Sequence, residues 1–336
     1  MKNKQIVGMV VAAVLIIVVG VSGAVTNIIQ DKVSQGSKMA ENKSKEQFLS
    51  FFSDEEEIET PDEPYVGQLD IVGTIQPSTG FVASGEYDHD RFMKFVDVMM
   101  DDENNKGIFL NVNSPGGTVY ESDEMYLKLM EYKEKTGRPI YAYFGSYACS
   151  GAYYISMAAD KIYGNRNSWI GSIGVIISYN NYNKLFKKLG VEEINITSGA
   201  NKAMGSGGEE LTDEQREIFQ GLVDDAYEQF VGIVCEGRGM DEATVKEIAD
   251  GRVYTTNQSV ELKLIDSVGS VEDMKADFEK TEELGSVEYY APEDEISSLI
   301  SSLYGKAESL ITKSDIQVAK ELAEDPNNGV LMYYAK

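Results

Sequence analysis

Three short segments carry the residue types that acyl-transfer chemistry needs. Ser150 lies in Tyr147-Ala148-Cys149-Ser150-Gly151-Ala152, between a strand-like run and a helix start rich in small residues. Ser114-Pro115-Gly116-Gly117 directly follows another apolar run. Glycines there let backbone N–H groups face a ligand, or take φ > 0. Lys202 closes Ile196-Thr197-Ser198-Gly199-Ala200-Asn201-Lys202, 52 residues after Ser150. A serine at a helix N-terminus meets unpaired N–H groups and a positive dipole end, which favour a forming alkoxide or oxyanion. Each segment also has a plain reading: a helix N-cap, a strand-to-helix turn and a solvated lysine.

The base is the harder question. The chain has one histidine, His89. A Ser–His–Asp triad, a Cys–His pair or a His-rich metal site would all have to use it. His89 lies in Tyr87-Asp88-His89-Asp90-Arg91, which reads as a solvated loop or helix start. A different proton acceptor is therefore expected. A lysine can serve only when neutral, and at pH 7 about 0.04% of an ordinary lysine is. Burial in an apolar wall lowers a lysine pKa; lowering it by ~3 costs ~4 kcal/mol. Cys149 is a rival nucleophile, but the strand-to-helix turn should point its side chain elsewhere. The serine has no GxSxG elbow around it.

Composition narrows the function classes. A net charge of −26 argues against nucleic acid and against docking of the folded part on anionic lipid. Two cysteines, Cys149 and Cys235, are too few for a disulfide framework and read as buried thiols. No cofactor or metal is expected. Ile6–Val25 is an uncharged apolar run preceded by Lys2 and Lys4. It is long enough for the ~30 Å hydrocarbon core and longer than a cleavable signal core of ~7–15 residues. It reads as an uncleaved single-pass anchor over residues 1–30, with the bulk of the chain outside the cytoplasm. Residues 31–64 read as a polar, acidic tether.

Positioning elements begin near residue 65. Val66–Ile75, Gly107–Val112, Ile140–Phe144, Ile162–Tyr163 and Ile173–Ile177 read as strands. Arg91–Met100, Val119–Lys135 and Ser150–Ala159 read as helices between them. Thr212-Asp213-Glu214-Gln215 opens a long helix with a capping-box pattern, and Asp241–Ala249 forms another. Alternating strands and helices predict an α/β domain with a mostly parallel sheet. The acidic, serine-rich stretch after about residue 268 predicts a looser region with one or two helices.

Taken together, six segments resemble one family. They are Gly73-Thr74-Ile75, Ser114-Pro115-Gly116-Gly117, Ala148 to Tyr154, Gly171-Ser172-Ile173-Gly174-Val175, Ser198 to Lys202 and Ala249 to Tyr254. In this order they resemble the bacterial signal peptide peptidase A family, in its half-length form. The resemblance runs from about residue 68 to 270 and implies a fold similar to Clp protease and crotonase enzymes. It implies a peptidase domain over 65–270 and a C-terminal extension over 271–336. Ser150 would be the nucleophile, Lys202 the general base and Ser172 the group orienting the lysine. The backbone N–H groups of Gly117 and Gly151 would form the oxyanion hole. The family usually has a glycine where Lys263 stands before Leu264-Ile265-Asp266.

The resemblance further implies remnant signal peptides as substrates and a ring-like homo-oligomer, an octamer, in which Ser150 and Lys202 meet across a subunit boundary. An extended peptide would pair with strand edges near Gly116–Val119 and Ile173–Ile177. The chain ends Val330-Leu331-Met332-Tyr333-Tyr334-Ala335-Lys336 after a polar spacer. That tail could occupy the groove, in its own or a neighbouring subunit, or pack on the body as a strand. A crotonase-like acyl-CoA enzyme and a non-catalytic anchored scaffold remain alternatives.

Overall fold

Buried strands do alternate with amphipathic helices in the computed structural model, which describes residues 58–78, 87–292 and 331–334. The expected membrane helix and most of the tether lie outside these residues. Among the described residues, no helix is long and apolar enough to cross a membrane. In chain order come β1 (Tyr65–Val72), α1 (His89–Asp101), β2 (Asn105–Ser114), β3 (Gly116–Thr118), α2 (Val119–Thr136), β4 (Ile140–Cys149), α3 (Gly151–Ser156) and β5 (Lys161–Gly164). They are followed by β6 (Trp169–Gly171), β7 (Ile176–Ile177), α4 (Asn183–Leu189), α5 (Asp213–Arg238), α6 (Glu242–Ile248), β8 (Val253–Thr255) and α7 (Thr256–Glu261). The last described elements are β9 (Ser267–Val268), α8 (Val271–Thr281), β10 (Glu288–Tyr290) and β11 (Leu331–Tyr334).

The main sheet runs β10-β1-β2-β4-β5-β9, every pair parallel. Parallel sheets need both faces covered, so their strands read as near-continuous apolar runs. Ile108, Phe109, Leu110 and Val112 of β2 are all buried accordingly. Phe109 belongs to a cluster with Val66, Tyr141, Tyr143, Tyr163 and the α8 residues Met274 and Phe278. Alternation along the strand sends Ile108, Leu110 and Val112 to the other face. The inward residues of α1 (Phe92, Phe95, Val96, Met99) and α2 (Met125, Leu129, Tyr132) are buried as well. Each large side chain so buried contributes ~1.5–3 kcal/mol.

Strand β4 does two jobs. Its first half pairs with β5 and its second half with β6, both parallel. Between them the register against β2 shifts. The Asn113 side chain accepts from the amides of Ser146 and Tyr147 there, at 3.2 Å each. β6 also pairs antiparallel with β8. Helix ends follow the residue signals. α2 stops at Gly137, which takes φ 65 and donates to the Lys133 carbonyl. α5 opens with the expected Thr212/Gln215 capping box.

Three local readings change. His89 is not solvated: it is the first residue of α1 and 7% exposed. Its charged neighbours mislead because the Asp88 side chain turns back to cap α1, accepting from the Arg91 amide, while the imidazole points inward. The stretch expected as one strand at Ile173–Ile177 holds only the short β7, with Ile173 buried ahead of it. The described part of the acidic region after residue 268, residues 269–292, is firmer than its texture suggests, since α8 covers the sheet and β10 extends it beside β1.

A second, small sheet has the order β3-β11-β7. Both pairings are antiparallel. Tyr334 and Tyr333 face Gly116 and Gly117, while Met332 and Leu331 face Ile176 and Ile177.

Candidate active site

Ser150 stands where β4 ends and α3 begins, at the carboxyl end of a central parallel strand. Ligand sites in open α/β sheets gather at this end. The turn is strained: Ser150 has φ 54 and ψ −119. Such backbone in a non-glycine residue costs ~1–3 kcal/mol and persists only where the surroundings impose it. Two backbone bonds do so. The Ser150 amide donates to the Gly171 carbonyl at 2.7 Å, and the Ser150 carbonyl accepts from the Tyr154 amide at 2.9 Å. The Ser150 side chain makes no capping bond. Its hydroxyl is buried and has no hydrogen-bond partner among the described residues. A buried hydroxyl left unpaired costs ~1–3 kcal/mol, so strain and an unpaired hydroxyl coincide in one residue.

Ser172 lies beside it. The parallel register sets Cys149 against Gly171, so Ser150 and Ser172 are the next residues on neighbouring strands. Ser172 also has positive φ, 50, and its amide donates to the Arg252 carbonyl at 2.8 Å. Gly151 opens α3, and its amide is among the N–H groups a helix start leaves unpaired.

Gly117 approaches from the other side, since α3 packs against β3. Gly116 takes φ 103. The Ile75 amide donates to Gly116 O at 3.0 Å, and the Thr118 amide donates to Ile75 O at 2.9 Å. Gly117 is pressed against the Ile75 backbone, where a Cβ would collide with the carbonyl. Glycine is required there by close approach.

Cys149 is no competitor. Its thiol donates to the Trp169 carbonyl at 3.3 Å. Burial pushes its pKa up to about 12, so it stays protonated near neutrality.

Lys202 is placed differently. It lies exposed in a turn between α4 and α5, where its amide donates to the Gly199 carbonyl. Among the described residues no hydrogen bond joins it to the Ser150 hydroxyl, which has none. Two large apolar residues upstream of the turn are also uncovered: Ile194 is 74% exposed and Ile196 97%. Four expected site residues thus gather around the β4–α3 turn, and the fifth, Lys202, makes no hydrogen bond to Ser150 among the described residues. A cavity of about 450 Å³ opens next to Ser172, walled by Val175, Ile176, Val223, Tyr227 and Gly251. Residue types gave no signal for the backbone groups that build the turn, the carbonyls of Ile75, Gly171 and Arg252.

Residues 132–285 match the family model described as peptidase family S49. The chain is 40% identical over 220 residues to a protein of Enterococcus faecium named for signal peptide peptidase SppA, covering 66% of this chain and 64% of that one. It is 42% identical over 168 residues to a protein of Synechocystis named as a protease, with 50% and 60% of the two chains covered. Protease 4 of Haemophilus influenzae is 31% identical over 198 residues, covering 57% of this chain and 32% of that one. The matched stretch spans about three-fifths of the length of the first two relatives. The stretch that holds Ser150, Ser172 and Lys202 is thus a peptidase family S49 domain.

Proposed function

We propose that this chain is a membrane-anchored serine endopeptidase that cleaves extended apolar peptides, remnant signal peptides among them. The observation that carries this reading is the Ser150 hydroxyl, buried without a partner among the described residues in a strained strand-to-helix turn. Ser150 attacks the scissile carbonyl. The N–H groups of Gly117 and Gly151 receive the oxyanion, where loss of one donor typically costs ~2.7–4 kcal/mol. Lys202 takes the serine proton, and Ser172 orients the ammonium. The fold is read as Clp protease- or crotonase-like, with residues 65–270 as the peptidase domain.

A lysine acts as base only where burial favours its neutral amine. Lys202 is exposed in one chain, and so are Ile194 and Ile196 upstream of it. The reading therefore includes a homo-oligomer, an octameric ring, in which a second copy covers this turn and brings Lys202 to Ser150. The anchor at residues 1–30 would keep the site outside the cytoplasm, next to peptides left in the bilayer. The name of the Enterococcus faecium relative supports the substrate class. Peptide binding by strand addition fits the β3 and β7 edges, which pair in the chain with its own residues 331–334. The tail would then be a resident ligand of the groove, open to trimming.

Hydrolysis of an extended apolar peptide by the wild type, Ser150→Ala and Lys202→Ala tests the reading. Both variants should be inactive. Activity surviving Lys202→Ala removes the lysine as base, and activity surviving Ser150→Ala removes the serine mechanism. Intact mass of the wild type and Ser150→Ala tests trimming. Full retention of Lys336 in both removes it.

A further inference from the structure

The one imidazole of the chain is buried and takes no part in the chemistry above. His89 sits between two elements. Its Nδ1 meets the Tyr87 hydroxyl, and its Nε2 lies 3.0 Å from a carboxylate oxygen of Glu124 on α2. The other Glu124 oxygen accepts from the Tyr120 hydroxyl at 2.7 Å. A neutral imidazole protonated on Nε2 satisfies this arrangement, donating to Glu124 and accepting from Tyr87. Burial and the nearby carboxylates Glu121, Asp88, Asp90 and Glu124 push the Tyr87 hydroxyl far up, so it remains a donor.

Both ends of this network lead to the glycine turn. The Tyr87 amide donates to the Val72 carbonyl at 2.9 Å, at the end of β1. The segment that follows β1, residues 73–78, contains Ile75, whose amide and carbonyl hold Gly116 and Thr118. On the α2 side, the buried Glu121 carboxylate accepts from the Thr118 hydroxyl, one residue beyond Gly117. Ser78 fastens the same segment to α1. Its hydroxyl donates to Asp88 at 2.9 Å and accepts from the Asp90 amide at 3.0 Å.

We propose that His89 is a positioning residue for the reaction at Ser150: by tying Tyr87 to Glu124 it holds the α1 start, to which Val72 and Ser78 are bonded, onto α2 and thereby sets Ile75 and the Gly116–Thr118 turn. This rests on the reading of Gly117 as an oxyanion donor. A satisfied buried polar network specifies one geometry where apolar packing tolerates several. Oxyanion chemistry is sensitive to that geometry, since a shift of ~1 Å can cost ~10²-fold in rate.

The test uses the full chain and an extended apolar peptide, with kcat counted per Ser150 titrated by a fluorophosphonate. His89→Ala should lower kcat by about tenfold or more while KM stays within about twofold. His89→Gln should return kcat to within about threefold of wild type, because its amide can donate to Glu124 and accept from Tyr87. Tyr87→Phe removes a single hydroxyl and serves if His89→Ala does not fold; it should lower kcat by about fivefold with KM unchanged. Wild-type kcat per titrated serine in His89→Ala and Tyr87→Phe overturns the proposal. So does a loss confined to KM, or one His89→Gln fails to reverse. The controls separate the two readings. Hydrolysis by Ser150→Ala at the wild-type rate, or none by the wild type, overturns the peptidase assignment and this proposal with it. An inactive Ser150→Ala beside a fully active His89→Ala overturns this proposal alone.

Discussion

The Ser150 amide donates to the Gly171 carbonyl at 2.7 Å, and that bond sets the nucleophile candidate beside Ser172. Both serines have positive φ, 54 and 50, at the ends of adjacent parallel strands. A strand that simply continued would turn successive side chains to opposite faces. The two reversals break that alternation where the chain must present hydroxyls at the edge of the sheet.

Strain at Ser150 implies a trade between stability and activity. Ser150→Gly removes an orphan hydroxyl and a disfavoured φ together. It should abolish hydrolysis and raise unfolding free energy by about 1 kcal/mol. Urea denaturation measured beside peptide turnover checks both; a variant less stable than wild type would count against the strain.

Gly117 has no room for a side chain. Gly117→Ala should push the turn away from the Ile75 carbonyl, lowering kcat by about 10²-fold and stability by about 2 kcal/mol. Kinetics and thermal unfolding of the same preparation check this, and wild-type kcat would show that the turn tolerates displacement.

Cys149 makes a prediction about pH. Burial raises its thiol from 9.0 to about 12. Between those values the unfolded thiol ionises while the folded one does not, so the unfolded state binds fewer protons and stability falls as pH rises. Below about pH 9 this contribution is fully present. Cys149→Ala should flatten the alkaline part of the stability–pH curve, and iodoacetamide at pH 8 should leave native Cys149 unmodified.

Lys263 occupies the position where the family resemblance calls for glycine, and it takes φ 60. A left-handed backbone costs a residue with a Cβ ~1–2 kcal/mol. The Lys263 carbonyl accepts from Arg238 Nε at 2.7 Å, a bond any residue there keeps. Lys263→Gly should therefore stabilise the chain by about 0.5–1 kcal/mol, read from the urea midpoint, with activity unchanged.

Much of the architecture was legible in the residues. Apolar runs such as Ile108–Val112 identify strands buried on both faces, and the Thr212–Gln215 pattern marks the start of α5, because these signals are local. The segments that carry Ser150, Gly117 and Gly151 read as candidate chemistry for the same reason, whereas Ser172 came only with the family resemblance. His89 was misread because its burial depends on Glu124, 35 residues away, rather than on its acidic neighbours.

By itself the sequence determines the α/β alternation, the glycine positions and the residue types that could act. Tertiary structure alone decides that Ser150 and Ser172 lie side by side, that the Ser150 hydroxyl is buried without a partner among the described residues, that Cys149 is held protonated and that Lys202 is exposed in a single chain. The physical reason is that backbone reversal, desolvation and register depend on atoms brought together from distant parts of the chain.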